Sequence, residues 1–307
     1  MLERRFIVKI DVLQDTTIGQ EDYVCVKKMN HIYEICYLEH RNTICPIQKL
    51  DKDSYIVLNT GEVKDCNHIE NRAENKLQVS QSLKRLRDYI NTNVVDVNNC
   101  KWITLTYAEN MTDTKRLYND FKKFVMRFKY KYGNFEYIVA CEPQGRGAWH
   151  CHCIIIFDKK APFIPNKEIE SLWGHGFTKT NKLDDIDNIG AYLTAYLGDL
   201  DLASCKENNI SYNKEDIKEI TEIGNIKLKT PKKFVKGGRL SMYPPGFNIY
   251  RISRGIKKPE KEYYSYHVIK EKAGLRLPTY SKAIQLTDIE KNFSNKIIYE
   301  YYNTKRK

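Results

Sequence analysis

The stretch Trp149-His150-Cys151-His152-Cys153-Ile154-Ile155-Ile156-Phe157 decides the reading of the chain. Read as a strand, it turns alternate residues to opposite faces, so His150 and His152 project together while Cys151 and Cys153 point the other way with the core. Upstream, Tyr137-Ile-Val-Ala-Cys141 reads as a second strand that ends at Glu142, and Gly145-Arg-Gly147 as the tight turn between the two. Further out, Trp102-Ile-Thr-Leu-Thr-Tyr107 alternates as a strand, and Thr112 or Asp113 caps a helix from about Thr114 to Tyr132. Downstream, Pro165 starts a short helix to Trp173, Gly174-His-Gly176 breaks it, and Phe177 to Thr180 is extended. Asp184 or Asp187 then opens a helix through about Leu200. Antiparallel strands joined by a tight loop, with helices crossing between others, predict an α+β fold: a central antiparallel sheet with flanking helices.

The flanks divide differently. Residues 1–74 carry short β-type runs, at Tyr23 to Val26, Ile32 to Leu38 and Ser54 to Leu58, and read as a small β-rich piece without an assigned function. Residues 75–200 hold the central domain, preceded by a helix at 75–91 in which Leu77, Leu83, Leu86 and Ile90 share a face. Residues 201–307 form a basic extension: Lys227 to Lys261 holds eleven Lys or Arg against one acid, Glu260, with Tyr243, Phe247 and Tyr250 interleaved as rings for stacking. The tail beyond it is rich in tyrosine and mixed in charge.

The whole chain has 307 residues and a net charge of +12, which favours a polyanionic partner, nucleic acid before an anionic membrane surface. No apolar run approaches the roughly 18 residues of a membrane span, so no membrane partner is expected. The amino terminus lacks the pattern of a secretory signal, and a cytoplasmic location, in a bacterial host, is expected. Nine cysteines without any Cys-x-x-Cys read as thiols in a reducing compartment.

Two neutral imidazoles and a carboxylate at one sheet edge, His150, His152 and Glu142, suit a divalent ion that must meet phosphate oxygens. A zinc module using Cys151 and Cys153 is the rival, although alternation turns those thiols away from the histidines. Tyr192 and Tyr196 lie one helical turn apart and reach one region, a spacing that serves either half-buried packing or catalysis. No Gly-x-x-x-x-Gly-Lys-Ser/Thr occurs, so no P-loop ATPase for unwinding is present.

The order Ile103-Thr-Leu-Thr-Tyr107, then Glu142 with His150-x-His152, then a helix bearing Tyr192 and Tyr196, resembles the three motifs of HUH endonucleases. More narrowly it resembles rolling-circle replication initiators of plasmids and phages from Gram-positive bacteria. The resemblance spans about residues 55 to 260. It implies a sheet of about five antiparallel strands with the His pair on a central strand and Mg²⁺ or Mn²⁺ held by His150, His152 and Glu142. It further implies nicking of one strand of origin DNA by Tyr192 or Tyr196, leaving a 5′-phosphotyrosine and a free 3′-OH, with rejoining later. Single-stranded and origin DNA, a host helicase and a DNA polymerase are the implied partners. A lysine usually follows a catalytic tyrosine by three residues; here Ala195 and Asp199 stand there, and Lys179, Lys182 or Lys206 is expected to supply the charge. DNA contacts are expected at Lys84, Arg85, Arg87, Arg146, Lys179, Lys232, Lys233, Lys236, Arg239, Arg254, Lys257 and Lys258. The alternatives are a relaxase or transposase of the same superfamily, or a non-catalytic origin-binding regulator.

Overall fold

The computed structural model describes residues 8–14, 16–41, 45–181, 183, 190, 197–223 and 226–306. The chain divides into two units: residues 1–68 with 259–307, and residues 69–258. Before residue 69 come strands β1 (Val8–Leu13), β2 (Tyr23–Met29), β3 (Ile32–Leu38), β4 (Ile47–Lys49), β5 (Ser54–Val57) and β6 (Val63–Asp65). The middle holds α1 (Lys76–Asn93), β7 (Cys100–Thr106), α2 (Thr114–Tyr132), β8 (Glu136–Pro143), β9 (Trp149–Ile156), α3 (Asn166–Trp173) and β10 (Thr178–Asn181). It continues through β11 (Leu200–Asp201), α4 (Leu202–Glu207), β12 (Ile217–Ile223), β13 (Ile226–Val235) and β14 (Tyr250–Ile252). After residue 258 come β15 (Glu260–Ser265), α5 (Tyr266–Lys272), β16 (Tyr280–Asp288) and β17 (Phe293–Asn303).

In the first unit the two ends of the chain build one antiparallel sheet in the order β1-β16-β17-β3-β2-β15. Strands read as a separate front piece and tail thus pair residue by residue, for example Tyr33 with Tyr302. Pairing between segments more than 200 residues apart leaves no trace in local periodicity.

The second unit is built on a five-stranded antiparallel sheet in the order β10-β7-β9-β8-β14, with β9 at its centre. The α+β architecture expected from the sequence is therefore present. Inward side chains of this sheet, Ile103, Leu105, Val139, Cys151 and Cys153, meet Leu117, Phe121, Phe124 and Phe128 of α2 and Ile169 and Trp173 of α3. The α2 stripe recurs every three or four residues and lies under the sheet, each buried ring contributing about 1.5–3 kcal/mol. Asp113 caps α2 by accepting from the amides of Lys115 and Arg116, and Gly133 ends it at φ 81°.

The opposite face of the sheet is covered by α1: Leu86 and Ile90 pack with Ile138, Ala140, Ile154 and Leu197. Leu77, expected on the buried stripe, is exposed instead, and Val79 takes part in the core. Leu77 falls in the first turn of α1, before the helix reaches the sheet. The helix expected to reach Leu200 stops earlier, because Leu197 is already in a turn and Leu200 pairs with Val235.

The basic segment is not a loose extension. β13 lies between β11 and β12 in a three-stranded sheet, and β14 forms an edge of the five-stranded one. Two of its rings are corrected by the structure: Tyr243 and Phe247 are buried, with Phe247 stacked on Trp149 at 4.4 Å. Rings that complete a core cannot also stack on bases. Tyr250 is half-buried and faces Tyr89 at 6.0 Å.

Candidate metal centre

Antiparallel register does the assembly. Glu142 lies directly opposite His150, and Ala140 opposite His152, while Thr106 and Thr104 flank the same two histidines from β7. The hairpin between β8 and β9 closes with Gln144 N–H donating to Ala148 O and Gly147 at φ 89°. Gly145 must be small: a Cβ there would fall 2.3 Å from Ser204 Oγ, where α4 crosses the loop.

The three side chains converge on one point. Glu142 Oε1 is 3.2 Å from His150 Nε2 and 3.1 Å from His152 Nε2, and the two imidazole nitrogens are 2.9 Å apart. Among the described residues this is the one group of His, Cys, Asp or Glu arranged to hold a metal ion. The thiols of Cys151 and Cys153 are buried on the other face, which removes the zinc alternative. Two imidazole nitrogens in contact beside one carboxylate oxygen leave room for few protons between them, and a cation satisfies all three lone pairs at once. The other ring nitrogens have side-chain partners, Gln144 Nε2 at 3.3 Å from His150 Nδ1 and Thr104 Oγ1 at 3.4 Å from His152 Nδ1. Arg146 donates to Gln144 Oε1 at 3.2 Å and so fixes that amide. Outer contacts of this kind orient ligating histidines.

Electrostatics suit the same role. Burial raises the Glu142 carboxyl, but the Arg239 guanidinium and hydrogen bonds from His150 and His152 outweigh it and hold the group well below the usual carboxylate range. Burial also holds His150 below its ordinary value, keeping the imidazole neutral and free to ligate.

Arg239 was expected on a DNA-binding surface, and the structure places it inside this site. Its Nη1 lies 3.8 Å from Glu142 Oε1 and donates to Pro143 O, while Nε donates to Asp199 O at 3.1 Å. Asp199, which stands where a lysine was expected, accepts from Gly237 N–H at 2.9 Å and is buried. Of the substitute cations, Lys179 pairs with Thr104 and so sits on the face of the sheet that carries the histidines. Lys206 is exposed on α4, and Lys182 lies outside the described residues.

Tyr192 and Tyr196 also lie outside the described residues. The residues beside them are anchored: Gly190 N–H donates to Asn91 Oδ1 at 3.0 Å, and Leu197 is buried with its carbonyl accepting from Tyr243 Oη at 3.4 Å. The remaining basic candidates spread out. Arg85, Arg146, Lys233, Lys236, Arg254, Lys257 and Lys258 are exposed, Lys84 and Arg87 are half-buried on α1, and the side chain of Lys232 lies outside those described. Gln144, Thr104 and the inward turn of Arg239 were missed by sequence reasoning; register opposite the histidines would have found Thr104.

Residues 100–201 match the family model of the replication-associated protein ORF2. The likeness is to a replication initiator family. It begins at β7 and ends at β11, so it takes in Glu142, both histidines and the tyrosine-bearing stretch. No curated protein and no solved structure matches the chain. No helix among the described residues is long and apolar enough to cross a membrane.

Proposed function

We propose that the protein is a rolling-circle replication initiator of the HUH type, a single-strand DNA endonuclease and strand transferase with a tyrosine nucleophile. The observation that carries this reading is the convergence of Glu142, His150 and His152 on the central strands of the sheet, within the stretch similar to replication-associated proteins. A non-catalytic origin-binding regulator has no use for such a convergence.

His150, His152 and Glu142 would hold Mg²⁺ or Mn²⁺, and the bound ion would polarise the scissile phosphate and offset charge in the transition state. The chain's own residues do the rest. Gln144 and Thr104 orient the imidazoles, and Arg239 keeps Glu142 ionised and tied to the end of β8. Tyr192 or Tyr196 attacks phosphorus: its oxygen forms the new P–O bond, the P–O3′ bond breaks, and the 3′ oxygen takes up a proton. One phosphodiester replaces another, so the free 3′-OH primes synthesis and the 5′-phosphotyrosine can be rejoined. Exposed Lys179, on the same face, suits the phosphate charge that the absent motif lysine would meet. Single-stranded origin DNA is the substrate in this reading, and a separate helicase and polymerase follow the nick.

The test uses single-stranded oligonucleotides that tile the replicon encoding the protein, labelled at the 3′ end and incubated with Mn²⁺. A labelled covalent protein band is expected, absent from Tyr192→Phe/Tyr196→Phe and from His150→Ala/His152→Ala. A band that persists in the double tyrosine variant refutes the mechanism.

A further inference from the structure

The six-stranded sheet of the first unit has two unlike faces. On one, Val24, Val26, Ile35 and Ile298 are buried with Ile269 of α5 and Leu275. Register places the alternate residues on the other face: Tyr263, Tyr299 and Lys282 fall in one row across the strands, and Lys261, Tyr301 and Tyr280 in the next. None of these six belongs to the buried cluster, and Tyr263 and Tyr280 are 52% and 58% exposed. Aromatic rings of this size on an open sheet face are unusual for a surface that only meets water.

Charge indicates what the face meets. Its acids are each held by a lysine: Glu34 by Lys27 at 3.0 Å and Asp288 by Lys291 at 3.0 Å. Lys261 and Lys282 are exposed and make no ion pair among the described residues. At one edge the Arg41 guanidinium lies 4.8 Å from the Tyr263 ring centre. Lysines set between exposed rings do not suit the core of a protein interface, which is depleted in Lys. They do suit a polyanion whose units carry flat apolar rings. Tyr299 and Tyr280 are diagonal neighbours on adjacent strands, roughly 7–8 Å apart at the backbone, a reach that successive bases of an extended strand can span.

We propose that this face is a second nucleic-acid surface, on which Tyr263, Tyr280 and Tyr299 stack bases of single-stranded DNA while Lys261 and Lys282 meet its phosphates. It rests on the reading of the protein as a DNA-acting enzyme, and it gives the terminal unit the task of holding DNA apart from the nicking centre.

The probe is a short oligo(dT) substituted with 5-iododeoxyuridine, used with the full chain. On irradiation, cross-links are expected at Tyr263, Tyr280 or Tyr299. Tyr263→Ala/Tyr280→Ala/Tyr299→Ala is expected to weaken binding about tenfold per stacked ring. The corresponding Tyr→Phe triple should restore binding, because stacking needs the ring and not the hydroxyl. Lys261→Glu/Lys282→Glu should weaken binding and flatten its salt dependence. Cross-links confined to the second unit, or unchanged affinity in both triples, overturn the proposal. So does loss of self-association in the alanine triple with DNA affinity intact, which would make the face a protein contact. The covalent-adduct assay separates the two readings: absence of an adduct refutes the nicking mechanism, whereas the cross-link positions decide this surface.

Discussion

Replacing Arg239 by Met removes the cation beside Glu142 while keeping the length of the side chain. Glu142 is 8% exposed, so its carboxylate loses its guanidinium partner in a place water barely reaches. The carbonyls of Pro143 and Asp199 lose their donor in the same step. Breaking a buried pair costs about 3–5 kcal/mol. Because His150 and His152 still face the carboxylate, the lower end applies, and the orphaned carbonyls bring the loss to about 4 kcal/mol. In a unit of this size each kcal/mol lowers Tm by roughly 2–4 °C, so a fall of about 8–16 °C is expected. The chain's tryptophans, Trp102, Trp149 and Trp173, all lie in the unit of residues 69–258, so tryptophan emission reports that unit alone. Thermal unfolding followed by this emission, in chelator, is the assay. Glu142→Gln removes the stranded charge, so the Arg239→Met/Glu142→Gln double variant should be more stable than the sum of the single losses predicts, by about 2 kcal/mol. A fall under about 2 °C in Arg239→Met, or strict additivity in the double variant, refutes the buried-pair argument.

The pH dependence has a definite sign. His150 and Glu142 both have folded pKa values below their ordinary 6.5 and 4.5, so their contributions are complete above those values and are lost as pH falls below them. In chelator, tryptophan-detected Tm should fall as pH drops below 6.5, less so in His150→Gln, and the gap between wild type and Arg239→Met should narrow below pH 4.5; a gap that widens there contradicts the assignment. Mn²⁺ at about a hundred times its dissociation constant should stabilise by about 2.7 kcal/mol, roughly 5–10 °C, and His150→Ala/His152→Ala should abolish that shift. Gly190→Ala puts a Cβ 2.6 Å from Asn91 Oδ1 and 2.7 Å from Arg87 O, so it should lower Tm by several degrees and reduce covalent adduct formation; wild-type behaviour in both assays would refute the tight contact. Lys233→Glu/Lys236→Glu should weaken oligonucleotide binding and reduce its salt slope by about 1.4, or about 0.7 per lost phosphate contact, measured by anisotropy over a salt series.

The elements of the central sheet were legible because alternation and capping are local. Asp113 as the cap of α2 and the His150/His152 face of β9 follow from spacing alone, and a tight hairpin turned Glu142 toward them. Leu77, Tyr243 and Phe247 were not legible, since apolar spacing says that a side chain is able to pack and not which surface arrives to cover it.

By itself the sequence determined the type of fold, the three candidate ligands and the basic character of the chain. Each of these depends on neighbours a few residues apart or on composition. Only the tertiary structure decided that β9 is central, that Arg239 points inward to Glu142, and that the two chain ends share a sheet whose open face carries tyrosines. Those facts depend on pairings across tens to hundreds of residues, where burial and register, not local preference, choose the partner.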